Sequence, residues 1–139
     1  MRSVSTWKVL AVAGALVAAA PLVLLAADRE TVTPQFAKPM PNVPGKTLTV
    51  VRVDYAPGAK SCPHRHAASG FIYAYVLSGA VRSQVDDEAV KVYRASEAWS
   101  ENPGARHRVS ENASDTEPAS LLAMIVADTG DRLTTFDCP

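Results

Sequence analysis

Hydrophobic and polar positions divide the chain into an apolar start and a remainder with a two-residue beat. Residues 1–8, MRSVSTWK, are short and basic, and Val9 to Ala27 then run nineteen residues without a charge. A basic start, an apolar middle and small residues before Asp28 have the form of a secretory signal. Cleavage is expected after Ala26 or Ala27, or after Ala20, where Ala18-Ala19-Ala20 gives an A-x-A pattern. The competing reading is an uncleaved membrane anchor, because nineteen residues make about 28 Å of helix, just enough to span a bilayer. The segment has no polar stripe, which argues against a buried amphipathic helix. Both open readings export the folded part, to the periplasm or the extracellular space.

Residues 28–46 contain Pro34, Pro39, Pro41 and Pro44 and cannot be helical. They read as an extended linker, or as an edge segment with Phe36 tucked against the domain. From Thr47 onward every signal is strand-like. Thr47–Tyr55 is rich in β-branched residues, with Val51, Val53 and Tyr55 alternating with polar partners. Phe71–Leu77, Val81–Val85, Ala89–Tyr93, Arg106–Ser110 and Leu121–Ala127 follow, separated by turn signals such as Ala56-Pro57-Gly58 and Asn102-Pro103-Gly104. Leu121–Ala127 is apolar throughout and is expected to be buried on both sides. No helical stripe of three turns appears after residue 28. The prediction is one all-β domain over residues 47–139, a sandwich or barrel.

Charge and composition narrow the function classes. The chain has 14 Lys+Arg and 14 Asp+Glu. Two of the bases, Arg2 and Lys8, lie in the leader, so 12 bases face 14 acids beyond it. Such a surface does not suit nucleic-acid binding, which rests on phosphate neutralisation. With 47% hydrophobic and 20% charged residues the chain is not disordered. Cys62 and Cys138 could pair in an oxidising compartment. There is no phosphate-binding glycine loop and no G-x-S-x-G elbow, and no pair of inward carboxylates is expected.

The chain's three histidines carry the candidate chemistry. His64 and His66 are one residue apart; on a strand both imidazoles share a face, about 6–7 Å apart along the chain. His107 lies on another candidate strand, where alternation places Val109 beside it and Arg106, Arg108 and Ser110 opposite. Three neutral imidazoles converging in a barrel would suit iron, manganese, zinc, copper or nickel, with positions left open for substrate. The plainer alternative is a surface H-x-H pair unrelated to His107.

The spacing resembles the two motifs of the cupin superfamily. Gly58, the five residues AKSCP and His64-Arg65-His66 match the start of the first motif, and its closing glycine is Gly79, one residue late. SEAWSENPGARHRVSEN, Ser96 to Asn112, resembles the second. Gly104 and His107 have the right separation, Ser96 stands for the first glycine, Asn102 for the first proline, and Asn112 comes one residue late. The resemblance covers residues 47–127 and implies a small single-domain, type 2 cupin: a double-stranded β-helix, or jelly-roll barrel. It implies a divalent metal on His64, His66 and His107, iron or manganese foremost. It also implies a dioxygenase-like oxidoreductase acting on a small organic molecule, or a non-catalytic ligand-binding or sensor barrel. Family members often pair as homodimers through sheet edges or swapped N-terminal strands.

One family feature is missing. The glutamate that usually joins the histidines would fall at Gly70 or Phe71 counting from His66, or at Ile72 counting back from Gly79. None of these can bind a metal. Cys62 is a candidate replacement, or else a structural bridge to Cys138; Gln84 and Tyr73 are weaker substitutes. Glu97 is read as a turn residue, and Trp99 and Phe71 as barrel filling. Tyr73 and Tyr75 either reach inward to a substrate or, as preferred, pack outside. Arg82, Arg106 and Arg108 could draw in an anion or are simply solvated. The sequon at Asn112 is taken as incidental.

Overall fold

The computed structural model describes residues 30–138; the leader at residues 1–27 lies outside them. Ten strands form from the alternating segments: β1 (Glu30–Pro39), β2 (Lys46–Tyr55), β3 (His64–His66), β4 (Phe71–Ser78), β5 (Ala80–Val85), β6 (Lys91–Arg94), β7 (Ala98–Glu101), β8 (Arg106–Asn112), β9 (Ala119–Asp128) and β10 (Thr134–Phe136). No helix occurs among the described residues. Two five-stranded antiparallel sheets result, in the orders β1-β2-β9-β4-β7 and β10-β3-β8-β5-β6. From β2 onward the chain passes back and forth between the sheets, only the β5–β6 hairpin staying within one, which wraps them into a double-stranded β-helix.

The first sheet supplies most of the core, joined from the second by Val81 and Val85 of β5 and Tyr93 of β6. Period-two alternation turns Val51, Val53 and Tyr55 of β2 inward, and register brings Val53 opposite Leu121 and Val51 opposite Ala123 of β9. On β4 the inward set is Ile72, Ala74 and Val76, each almost wholly buried. That choice sends Phe71, expected inside, to the surface at 44% exposure, with Tyr73 beside it. The two tyrosines therefore belong to the outer face. Trp99 is buried as expected, its ring stacked at 4.6 Å on Tyr93. On β9 the inward Leu121, Ile125 and Ala127 are buried; on the other side only Ser120 is, and Leu122, Met124 and Val126 are half-buried. In the N-terminal edge strand β1, Phe36 is exposed rather than tucked in.

Two backbone positions explain the family-like glycine pattern. Gly79, between β4 and β5, has a φ of 69°. A Cβ there would stand 2.4 Å from the Pro118 carbonyl oxygen, so no other residue fits. Ser96, where the resemblance calls for glycine, has a φ of 73° in the turn joining the second sheet to the first. The backbone demand is kept although the residue that meets it best is absent. Glu97 accepts the Arg94 backbone N–H in the same turn, the structural role expected of it.

Candidate metal centre

The second sheet brings the histidines together. β3 and β8 pair with His64 opposite His107, so both rings leave the sheet on the same face. Alternation adds His66. Ligand atoms of all three lie within 4.8 Å of one another, and all three rings are buried. A bulge between β5 and β8 then resets the alternation, since Gln84 pairs with Val109 but Val85 pairs with His107. Ser110 consequently turns inward with His107 instead of opposing it.

Each ring is held differently. The Cys62 carbonyl accepts from His64 Nδ1 at 2.8 Å, which leaves Nε2 free toward the centre. His107 Nε2 lies 2.8 Å from the Ser83 hydroxyl. His66 has no hydrogen-bond partner at either ring nitrogen despite burial. Burial lowers the pKa of His64, and lowers that of His107 to about 4, only partly offset by the Cys62 carbonyl and by Glu101 respectively. Both rings are thus neutral at pH 7, the form that ligates metals.

A buried carboxylate borders two of the three rings, and sequence reasoning missed it. Glu101 is 2% exposed. Its Oε2 lies 3.1 Å from His66 Nε2, and its Oε1 lies 3.4 Å from His107 Nδ1. The Trp99 indole N–H donates to Oε1 at 3.0 Å. Burial alone would raise its pKa, but the imidazoles of His66 and His107 and the indole hold it below the usual glutamate value. The signal was present: Glu101 stands two residues after Trp99, which was expected to point inward, and a strand puts both on one face. Counting within the first motif could not reach it, because it sits on β7, directly opposite Ile72.

The other candidate ligands fall away. Cys62 is bridged to Cys138, so it offers no thiolate. Gln84 bonds the Glu88 carbonyl at an exposed site, and Tyr73 faces out. Arg82, Arg106 and Arg108 pair with Glu111, Asp137 and Asp87 on the outside. Asn112 is buried, its amide donating to the carbonyls of Ala56 and Glu117, so the sequon is a loop brace.

The histidines and Glu101 line a cavity of about 320 Å³, the small end of the range for ligand pockets. Its wall is mostly the apolar inner face of the first sheet, with Thr134 and the exposed Phe136 of β10 on the other side. A second polar group lies within it. The Tyr55 hydroxyl is 2.8 Å from both Ser61 Oγ and Ser110 Oγ, and Ser61 donates to Glu30 at 2.6 Å. Burial pushes the Tyr55 phenol up to about 12. Two carboxylates, Glu30 and Glu101, therefore line the cavity, contrary to expectation.

This geometry makes the comparison with known families decisive. The family model of the cupin domain matches residues 51–125, more than half of the chain. The chain belongs to the cupin family. No curated protein matches this cupin. Among solved structures it is similar to an uncharacterized protein with a double-stranded β-helix domain from Klebsiella pneumoniae, at 20% identity and a TM-score of 0.55, covering 66% of this chain and 76% of that one. It is similar to an oxalate oxidase in complex with the substrate analogue glycolate, at 20% identity and a TM-score of 0.61, covering 91% and 63%. It is similar too to the cupin domain of an XRE-family transcriptional regulator from Enterobacter cloacae, at 20% identity and a TM-score of 0.55, covering 69% and 94%. At these identities the likeness is one of fold. The cupin spans less than two thirds of the oxalate oxidase's length.

Proposed function

We propose that this cupin is an exported metalloprotein in which His64, His66 and His107 hold one divalent ion and present it to a small organic molecule inside the barrel. The observation that carries the reading is three buried imidazoles facing one point at the end of a largely apolar cavity. The residues fit an ion: His66 Nε2 and Glu101 Oε2 are buried 3.1 Å apart without hydrogen bonds, a cost that a cation beside them would remove. Iron or manganese lead, as the family resemblance implies, and the same donors also suit zinc, copper and nickel.

Such an ion supplies Lewis acidity and open coordination positions, the chemistry of a dioxygenase-like oxidoreductase. The chain's own groups do the rest. The Cys62 carbonyl and the Ser83 hydroxyl orient two rings, the apolar wall of the first sheet favours an apolar guest, and Tyr55 is spent in its own hydrogen-bond chain, donating to Ser61, which donates to Glu30. None of the lining residues is Arg or Lys. The wall thus gives an oxalate-like dianion no fixed partner, and the substrate proposed is small and largely apolar. The Cys62–Cys138 bridge supports export to the periplasm or beyond, with the leader either cleaved or kept as an anchor.

A second reading, a sensor or ligand-binding barrel without turnover, is favoured by the likeness to the regulator's cupin domain. Metal analysis of untagged protein tests the shared premise. One divalent ion per chain is expected, with none in His64→Ala or His107→Ala; full occupancy in both variants would end the proposal. Oxygen uptake with diketones, catechols and thiols then separates enzyme from binder.

A further inference from the structure

We infer that Glu101 is the fourth protein ligand of the metal centre, an anionic donor supplied by β7. The inference rests on the three-histidine reading above and concerns what that reading leaves open, the charge and completeness of the site. Glu101 is buried among apolar neighbours on its own sheet, with Ile72 opposite it and Ile125 beyond in the same row. Nothing in that row requires a charge. An unneeded buried carboxylate costs several kcal/mol unless something cationic meets it.

The geometry says what meets it. Oε1 is fixed by the Trp99 indole, which turns Oε2 toward the imidazoles. Oε2 and His66 Nε2 are both without hydrogen bonds although only 3.1 Å apart. Two donors bound to one ion at about 2.1 Å, at angles of 90–110°, stand roughly 3.0–3.4 Å apart. The pair thus has the spacing of neighbouring ligands without the alignment of a hydrogen bond. Three neutral rings and one carboxylate leave a divalent ion with a single net positive charge, which the apolar cavity tolerates better than two.

The register supplies a test by relocation. Ile72 is paired with Glu101 and its side chain enters the same cavity, so a carboxylate placed there approaches the same point from the next strand. The full-length chain is titrated with Co(II), and absorption of the bound ion is read alongside affinity. Wild type should bind one ion. Glu101→Gln, which keeps shape and removes charge, should bind about 1,000-fold more weakly, beyond the roughly 10–100-fold that loss of a supporting hydrogen bond costs. Its spectrum at saturation should change, and Ile72→Glu with Glu101→Gln should recover affinity, with circular dichroism confirming that each variant is folded. Unchanged affinity, or weaker binding with an unchanged spectrum, would overturn ligation by Glu101 and leave the three histidines standing. No Co(II) binding by wild type would instead overturn the metal reading and this inference with it.

Discussion

The two sheets of the barrel divide its work. The inner face of the first, β1-β2-β9-β4-β7, is almost wholly aliphatic, and its one deep charge is Glu101 at the outer strand. The second, β10-β3-β8-β5-β6, turns His64, His66, His107, Ser83 and Ser110 inward. The first sheet carries most of the buried apolar area; the second keeps Val81 in the core but gives up much of its inner face to polar groups and depends on outside support. The lesson is that the imidazole wall should be weak in stability and strong in function, and the aliphatic wall the reverse.

The largest expected effect falls on that outside support. The Cys62–Cys138 bridge ties the end of the chain beside β3 across 76 residues of sequence. Closing such a loop restricts the unfolded chain by about 4 kcal/mol in the chain-entropy view. Cys62→Ser with Cys138→Ser should lose about that much in urea unfolding, and His64 should lose its orienting carbonyl geometry. An unchanged midpoint would mean the second sheet stands without its staple.

Next comes the aliphatic wall. Ile72→Ala should cost about 3 kcal/mol, as a fully buried large-to-small change does. His64→Ala, whose ring already borders an open cavity, should cost less while removing the metal. Equal losses from both would erase the contrast between the sheets.

Acid should act through the second sheet. In the metal-free protein His107 has a pKa of about 4 when folded, against 6.5 ordinarily. Above pH 6.5 both folded and unfolded rings are neutral and the full stability is present. As pH falls from 6.5 toward 4 the unfolded chain takes up the proton first, and stability drops, by about 3 kcal/mol from this ring. His64 adds in the same direction. Glu101, whose folded pKa is depressed, adds a further loss as pH falls below 4.5 through its lower folded value. Urea unfolding at pH 8, 6.5 and 5 checks the sign; a flat profile would contradict buried neutral rings.

The smallest effect lies at the turn joining the sheets. Ser96→Gly should raise stability by about 1 kcal/mol, because a left-handed backbone costs any residue with a Cβ. Thermal unfolding would show it.

The same division explains what the sequence disclosed. Strand β2 was legible because alternation is clean in Val51-Arg52-Val53-Asp54-Tyr55. The histidines were legible because H-x-H and a later glycine-spaced histidine have few other uses. Ser110 was misplaced because a bulge, which no local pattern marks, shifts the phase of β8. Phe71 was misplaced because FIYAYVL is apolar on both faces, so composition cannot choose which face is inner. Glu101 was overlooked although its spacing from Trp99 marks its face, because its approach to the histidines depends on the cross-strand register with Ile72.

The most direct test of the account is an anomalous-difference map from crystals of the protein grown with manganese. One peak is expected inside the barrel, in bonding contact with His64, His66 and His107. A peak only elsewhere, or an empty cluster at saturating manganese with the rings intact, would contradict it.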